Sequence, residues 1–153
     1  MSKVFEDEFS ALQADMVSIC LEYVDDVADK IYIYCSAEDG WITGDFFYQI
    51  NGKVVQCHRL NEVLLPGQAE YDVSGDRQDA VLDVISEDIA KLQAVCKKYN
   101  RPMPTEMKLV YNVKTDAFDA EYKYEAQYAD DPEKTADDIV DEWFDKVKRV
   151  EER

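Results

Sequence analysis

The sequence predicts a single α+β domain spanning residues 1–153, with amphipathic helices packed on a mostly antiparallel sheet. Three observations support this prediction. Three segments have helical periodicity, and five short segments have the alternation or apolar content of strands. Consecutive strand segments are joined by tight turns, so they pair antiparallel. The predicted order is α-β-β-β-α-β-β-α, and a chain of 153 residues with 46% hydrophobic residues can fill one core.

Each helix is predicted from an apolar stripe. The first covers about residues 3–28, the second runs from about Asp76 to Tyr99, and the third follows Pro132. "NRPMP" ends the second helix, because proline cannot continue the hydrogen-bond ladder. The three predicted stripes comprise Phe5, Phe9, Leu12, Met16, Ile19 and Tyr23; Val81, Val84, Ile85, Ile89, Leu92, Cys96 and Tyr99; and Ala136, Ile139, Val140, Trp143, Val147 and Val150.

The strands are predicted over residues 30–36, 41–50, 53–60 and 105–113, and the stretch 116–131 is predicted to form the other half of the last hairpin. "NG" at 51–52 indicates a two-residue hairpin, because both residues accept positive φ. Residues 61–75 are rich in polar residues with Pro and Gly and are predicted as a loop. In the last strand, one set of side chains is predicted to be buried and the other to face water. The two sets are Phe118, Ala120, Tyr122 and Tyr124, and Asp119, Glu121, Lys123 and Glu125.

The negative net charge of the chain excludes some classes of binding partner. The formal net charge is −17, which argues against direct binding to nucleic acid or to an anionic membrane. Residues 116–145 alone hold twelve acids and two bases, more clustering than solubility would require. There is no apolar leader after the N-terminus and no apolar run long enough to span a bilayer, so a cytoplasmic protein is expected.

Catalytic signatures are absent from the sequence, and we expect neither an enzyme nor a cofactor. His58, the only histidine, follows Cys57, but neighbours on a strand point to opposite faces. Cys20, Cys35, Cys57 and Cys96 lack the spacing of a zinc site, so buried free thiols are predicted. The carboxylate-rich segments lack the EF-hand pattern, and no metal site is predicted.

The clustered acids favour a surface for a positively charged protein partner. Asp137, Asp141 and Asp145 recur at every fourth residue of the third helix, as do Asp138 and Glu142, so like charges repel. A basic partner would relieve this repulsion and be attracted over distance. Exposed aromatic residues could anchor it. The predicted partner-binding residues are Asp119, Glu121, Glu125, Asp130, Asp131, Asp137, Asp138, Asp141 and Glu142, with Tyr128 and Trp41 as anchors. Tyr122, Tyr124 and Trp143 are instead predicted to belong to the core.

Across nearly its full length the chain resembles the YezG-like family of bacterial immunity proteins. The resemblance is carried by the leading amphipathic helix, by "KIYIYCSAEDGWITGDFFYQINGK" and "MKLVYNVKTDAFDAEYKYE", and by the acidic helix "DDIVDEWFDKV". It implies a small acidic cytosolic antitoxin that neutralises the C-terminal toxin domain of a polymorphic secreted toxin, often a nuclease, in interbacterial competition. It implies no catalytic residues. The chain departs from the family in loop 61–75 and in its cysteines, which leaves the toxin open.

The family resemblance and the clustered negative charge favour the same function. A nuclease active site lined with Lys and Arg would bind clustered carboxylates. Two alternatives remain open. The first is an acidic chaperone or adaptor that escorts a secreted protein without neutralising any activity. The second is a metal-dependent or hydrolytic enzyme. Only immunity predicts that loss of this protein kills cells that express the partner.

Overall fold

The computed structural model of the protein describes residues 4–38, 40–127, 131 and 133–152, and it confirms the predicted α+β order. The helices are α1 (Phe5–Tyr23), α2 (Gly75–Lys98) and α3 (Ala136–Glu151), with a short 3₁₀ helix at Leu60–Val63. The strands are β1 (Lys30–Glu38), β2 (Trp41–Ile50), β3 (Lys53–Gln56), β4 (Glu106–Asn112) and β5 (Ala117–Lys123). They form one antiparallel sheet in the order β3-β2-β1-β4-β5.

The sheet separates two clusters of buried side chains. Alternate residues of β1 point to opposite faces, so Ile33 lies in the larger cluster with α1 and α2, whereas Tyr34 lies against α3 in the smaller one. Being central and covered on both faces, β1 reads as a nearly continuous apolar run. The domain is therefore three-layered, with two helices on one face of the sheet and one on the other.

The helix ends follow local sequence signals. The Ser74 side chain accepts a hydrogen bond from the Arg77 backbone N–H at 3.4 Å and caps α2. Thr135 and Asp138 form a reciprocal capping box at the start of α3. Helix α1 ends at Tyr23, five residues earlier than predicted, because the chain turns through positive φ angles of 51° and 64° at residues 25 and 26.

The β2–β3 hairpin has the predicted turn, but β3 is shorter than predicted. Asn51 and Gly52 both have positive φ, at 54° and 79°, as a type I′ turn requires. Strand β3 ends at Gln56, and Cys57 and His58 form a turn instead of continuing it. The buried Tyr23 hydroxyl donates to the Cys57 carbonyl at 2.8 Å, so a backbone acceptor beyond the strand is satisfied by a side chain.

The predicted burial of β5 is wrong in part. Phe118, Tyr122 and Tyr124 are exposed by 41%, 38% and 55%, while Ala120 is half-buried. The reason is that β5 is an edge strand, so its side chains have neighbours on one side only. Val150 at the end of α3 is also exposed, whereas Trp143 is buried as predicted. The four cysteines are buried free thiols, also as predicted.

The described helices include none that is both long and apolar enough to cross a bilayer.

Candidate partner-binding surface

The acidic residues of β5 lie on the sheet face that carries α3. Asp119 is opposite Val110 in the register, and Glu121 is opposite Lys108. Val110 packs against the cluster formed with α3, which fixes this face for both acids. Both are exposed, and neither forms an ion pair within the part of the chain that the structure describes. The alternation read from the sequence is therefore correct for the acids.

The acids of α3 lie on more than one side of the helix. Asp137 and Asp141 lie on the side towards β2, where both raise the pKa of Asp45, a shift caused first by burial of that carboxyl. Glu142 lies on the other side, where its carboxylate is 3.2 Å from the Lys134 ammonium. All four predicted α3 acids, Asp137, Asp138, Asp141 and Glu142, are exposed.

A cleft lined by lysines lies between the acids of β5 and the acids of α3. It consists of two adjoining hollows of about 330 and 200 Å³ between α3 and strands β4 and β5. Trp143 and Lys123 border both hollows, and the Lys108 ammonium lies 5.6 Å from the centre of the Trp143 ring. The lysines around the cleft are Lys30, Lys108, Lys123, Lys134 and Lys146.

Buried carboxylate partly neutralises this cleft. Glu106 is only 2% exposed, accepts a hydrogen bond from the Tyr34 hydroxyl at 3.1 Å and lies 3.7 Å from the Lys123 ammonium. The predicted acids therefore form two patches, one on β5 and one on α3, with a charge-balanced cleft between them. The sequence could not show this, because these lysines are scattered over more than one hundred residues and meet only in the fold.

The segment after β5 connects the two patches. The backbone N–H of Gln127 donates to both carboxylate oxygens of Glu38 at 2.9 Å, which ties the segment to the end of β1. Glu125 is exposed, and backbone N–H groups, its own and that of Tyr124, lower the pKa of its carboxyl. Asp131 is also exposed. The predicted Tyr128 and Asp130 lie outside the described residues.

Trp41, the other predicted anchor, is strongly exposed, at 73%. It begins β2 and is opposite Glu38 in the register, so it projects from the sheet face that carries α3. Because Glu38 also holds Gln127, Trp41 is at the end of the sheet where the chain passes from β5 towards α3. The structure thus brings this anchor to the edge of the acidic region.

Three aromatic residues that were predicted to be buried are exposed as well, and two of them, Phe118 and Tyr122, lie on the sheet face opposite to the acids. Phe118, Tyr122 and Tyr124 are exposed aromatics on or just beyond β5. Their alternation with acids was visible in the sequence, but the same pattern fits a strand covered on one face. Only the strand order distinguishes an edge strand from a covered strand.

Cys57 and His58, the groups considered for catalysis, lie together in the turn after β3. Burial raises the pKa of the Cys57 thiol to about 12, which disfavours the thiolate that nucleophilic chemistry needs. His58 is exposed in the same turn. Within the described ranges, no three His, Cys, Asp or Glu residues are grouped so as to hold a metal ion.

Comparison with known proteins adds no assignment. No family model matches the chain, and no curated protein matches it.

Proposed function

We propose that this protein is an immunity protein, which binds the C-terminal toxin domain of a cognate secreted bacterial toxin and neutralises it. The observation that carries the proposal is the set of exposed carboxylates on β5 and α3, in two patches around the sheet face that carries α3. A protein that uses acids only for solubility gains nothing from crowding them beside each other, where they repel.

Geometry supports contact with a basic surface. Within the described residues, Asp119, Glu121, Asp137 and Asp141 are exposed and form no ion pair, so a partner's Lys or Arg would find them unneutralised. Long-range attraction from a chain with a formal charge of −17 would speed the encounter. A nuclease domain is the favoured target class, because its substrate-binding cleft must carry positive charge to hold phosphates.

The two-patch arrangement constrains how such a partner binds. The cleft around Trp143 already contains lysines paired with Glu106 and Glu142, so it would not attract a purely basic surface. A basic partner would contact the patches on its two sides. The exposed Trp41 indole beside the connecting segment would provide apolar contact within this polar surface.

The first experiment is a pull-down with the tagged full-length protein from lysate of the producing organism, washed at low and then high salt. Immunity predicts a stoichiometric partner with a basic C-terminal domain that is released as salt rises. The decisive second step expresses that C-terminal domain in cells with and without this protein. Death only in its absence supports immunity.

Other outcomes oppose the proposal. Survival of cells without this protein, combined with poor secretion or folding of the partner, would favour a chaperone or adaptor. Recovery of no specific partner from the lysate under either salt condition would count against a neutralising complex. Charge reversal in each patch provides the matched test of the surface and is specified in the Discussion.

A further inference from the structure

Strand β5 leaves one side of the sheet open. It is the last strand in the order β3-β2-β1-β4-β5, so only β4 pairs with it among the described residues. The pairing runs without interruption from Ala117 to Lys123, with no bulge in the register and no proline in the strand. An edge strand without such protection presents a row of backbone donors and acceptors to a further strand.

An apolar groove lies on the side of α1 and meets β5 at Phe118, near the β4–β5 turn. It has a volume of about 380 Å³ and lies between α1 and the β4–β5 hairpin. Ser10, Ala14 and Ser18 lie one helical turn apart on its α1 wall and leave space beside the larger α1 residues of that wall, and Phe118 borders the groove from β5. The other lining residues are Gln13, Val17, Leu21, Tyr111 and Asp116. The groove therefore has room for side chains of an added strand.

Two exposed aromatic side chains of β5 lie on the side of α1: Phe118 borders the groove, and Tyr122, one helical turn of α1 further along, is held in position by contacts with α1. The Gln13 amide donates to the Tyr122 hydroxyl at 2.8 Å, and the Tyr122 ring meets Phe9 edge-on at 6.0 Å. Phe118 is 41% exposed at the other end of the strand. The Tyr122 ring, being already fixed, would lose little conformational entropy when a strand binds beside it.

The opposite face of the same edge is acidic. Asp119 and Glu121 alternate with Phe118, Ala120 and Tyr122, so a strand paired with β5 would have apolar neighbours on one face and carboxylates on the other. A second copy of this chain, paired antiparallel in the register that aligns the two strands end to end, would place Asp119 against Glu121. A strand bearing Lys or Arg on that face complements the charge instead.

From these observations we propose that β5 takes up an extended segment of a basic protein partner as a sixth strand. In that segment, apolar side chains fill the groove along α1, and alternate Lys or Arg side chains meet Asp119 and Glu121. Backbone hydrogen bonds to β5 supply affinity, and the alternation supplies specificity. This inference rests on the proposed function and specifies how the toxin domain is held.

The probe is a capped synthetic peptide as long as β5, with alternating Val and Lys residues, titrated into the ¹⁵N-labelled full-length protein. We expect amide shift changes concentrated in β5 and in the α1 wall of the groove. Two control peptides are matched in composition. One carries its valines and lysines in separate blocks, and the other is N-methylated at every second residue to remove one edge of hydrogen-bond donors. Each should bind at least roughly tenfold more weakly.

Phe118→Ser should also weaken binding of the alternating peptide, whereas Leu65→Ser, at another exposed apolar side chain, should not. Circular dichroism and thermal unfolding would verify that both variants are folded. No binding of the alternating peptide, equal binding of either control peptide, or shift changes confined to α3 would each overturn the inference.

The immunity function and the addition of a strand to β5 can be tested independently of each other. If a captured toxin domain binds the Phe118→Ser variant as tightly as wild type and is still neutralised, immunity stands and strand addition is wrong. If the alternating peptide adds to β5 but cells without this protein survive the partner, strand addition stands and immunity is wrong.

Discussion

The buried carboxyl of Asp88 on α2 faces the carboxyl of Asp15 on α1, and this contact adds to burial in raising the pKa of Asp88. Asp88 is 1% exposed, and its Oδ2 atom has no hydrogen-bond partner in the described part of the chain. Two carboxyl groups can share a hydrogen bond only if one of them carries a proton. Burial, followed by the contact with Asp15, raises the pKa of Asp88 to about 7. The folded protein therefore favours the protonated form of Asp88 between α1 and α2.

The first prediction concerns Asp88→Asn. Because the folded-state pKa of Asp88 is above its unfolded value, the stability that its proton contributes is complete below about pH 4. It is lost as pH rises through about 7. Asparagine retains a donor for Asp15 at every pH, so the variant should gain on the order of 1 kcal/mol relative to wild type at pH 8 and little at pH 4.

Urea unfolding at a series of pH values measures this difference. Asp83→Asn, at an exposed position of the same helix, is the control and should leave the pH dependence unchanged. A wild-type free energy of unfolding with the same slope as Asp88→Asn between pH 4 and pH 7 would contradict the assignment of the proton to this pair.

The second prediction concerns Gly44 on β2, where helix and sheet approach closely. A Cβ atom at Gly44 would lie 2.5 Å from Cγ2 of Ile85 on α2, closer than real Cβ contacts allow. Gly44→Ala should therefore lower the free energy of unfolding by about 1–3 kcal/mol. Ile85→Ala alone removes a buried side chain and should cost about 2–5 kcal/mol.

The double variant separates the clash from a general loss of packing. Because Ile85→Ala removes the atom that Gly44→Ala would strike, the double variant should be more stable than the sum of the single effects predicts. Denaturant unfolding of all four proteins completes the cycle. Additive effects would show that the cost at Gly44 has another origin.

The third prediction concerns the buried carboxylate of Glu106. Its contacts with the Tyr34 hydroxyl and with Lys108 and Lys123 compensate for its desolvation. Glu106→Ala should cost about 3 kcal/mol, because it leaves Tyr34 and the lysines without this partner. Glu106→Gln retains an acceptor for Tyr34 and should cost less. Thermal unfolding of the variants, with exposed Glu133→Gln as control, tests this ranking.

The fourth prediction compares the two acidic patches. Asp119→Lys with Glu121→Lys reverses charge on β5, and Asp137→Lys with Asp141→Lys does so on α3. If both patches contact a basic partner, each pair should slow association and flatten its salt dependence, because exposed charges act mainly on the rate of encounter. The control, Asp76→Lys with Asp79→Lys, makes the same net change on α2.

Stopped-flow association with the captured partner at several salt concentrations distinguishes local from general charge. If the α2 pair slows association as much as the other two, the effect comes from net charge, and the patches have no special role. If neither patch pair changes the rate, the acidic surface is not the interface.

The fifth prediction concerns Trp41. Because its side chain is strongly exposed, replacing it should affect partner binding without disturbing the core. Trp41→Ala should leave the unfolding temperature almost unchanged but weaken partner binding by at least roughly tenfold if Trp41 is an anchor. Leu65→Ala is the control, because Leu65 is also exposed and its loop is held by Gln68 to Asn51, at the opposite end of β2. Calorimetric titration would measure both, and equal affinities would remove Trp41 from the interface.

Local interactions explain which parts of the fold were predictable. The Asn51–Gly52 turn depends on the φ preferences of two adjacent residues. The α3 stripe depends on contacts within one helix face, which buried Ile139, Val140 and Trp143 as expected. One prediction failed where a contact distant in sequence accompanies the end of an element. Strand β3 stops at Gln56. In the turn that follows, the backbone carbonyl of Cys57 accepts a hydrogen bond from the hydroxyl of Tyr23, which is thirty-four residues away in the sequence.

The sequence by itself determined the order of elements, the antiparallel hairpins and the excess of carboxylates near the C-terminus, because each follows from neighbouring residues or from composition. Only the tertiary structure decided that β1 pairs with β4 and leaves β5 at an edge. That pairing joins residues far apart in the chain, and alternation within one strand is the same at an edge as in the middle of a sheet. The exposure of Phe118 and Tyr122 and the lysine-lined cleft between the acidic patches follow from that pairing, and the raised pKa of Asp88 beside Asp15 follows from the long-range packing of α1 on α2.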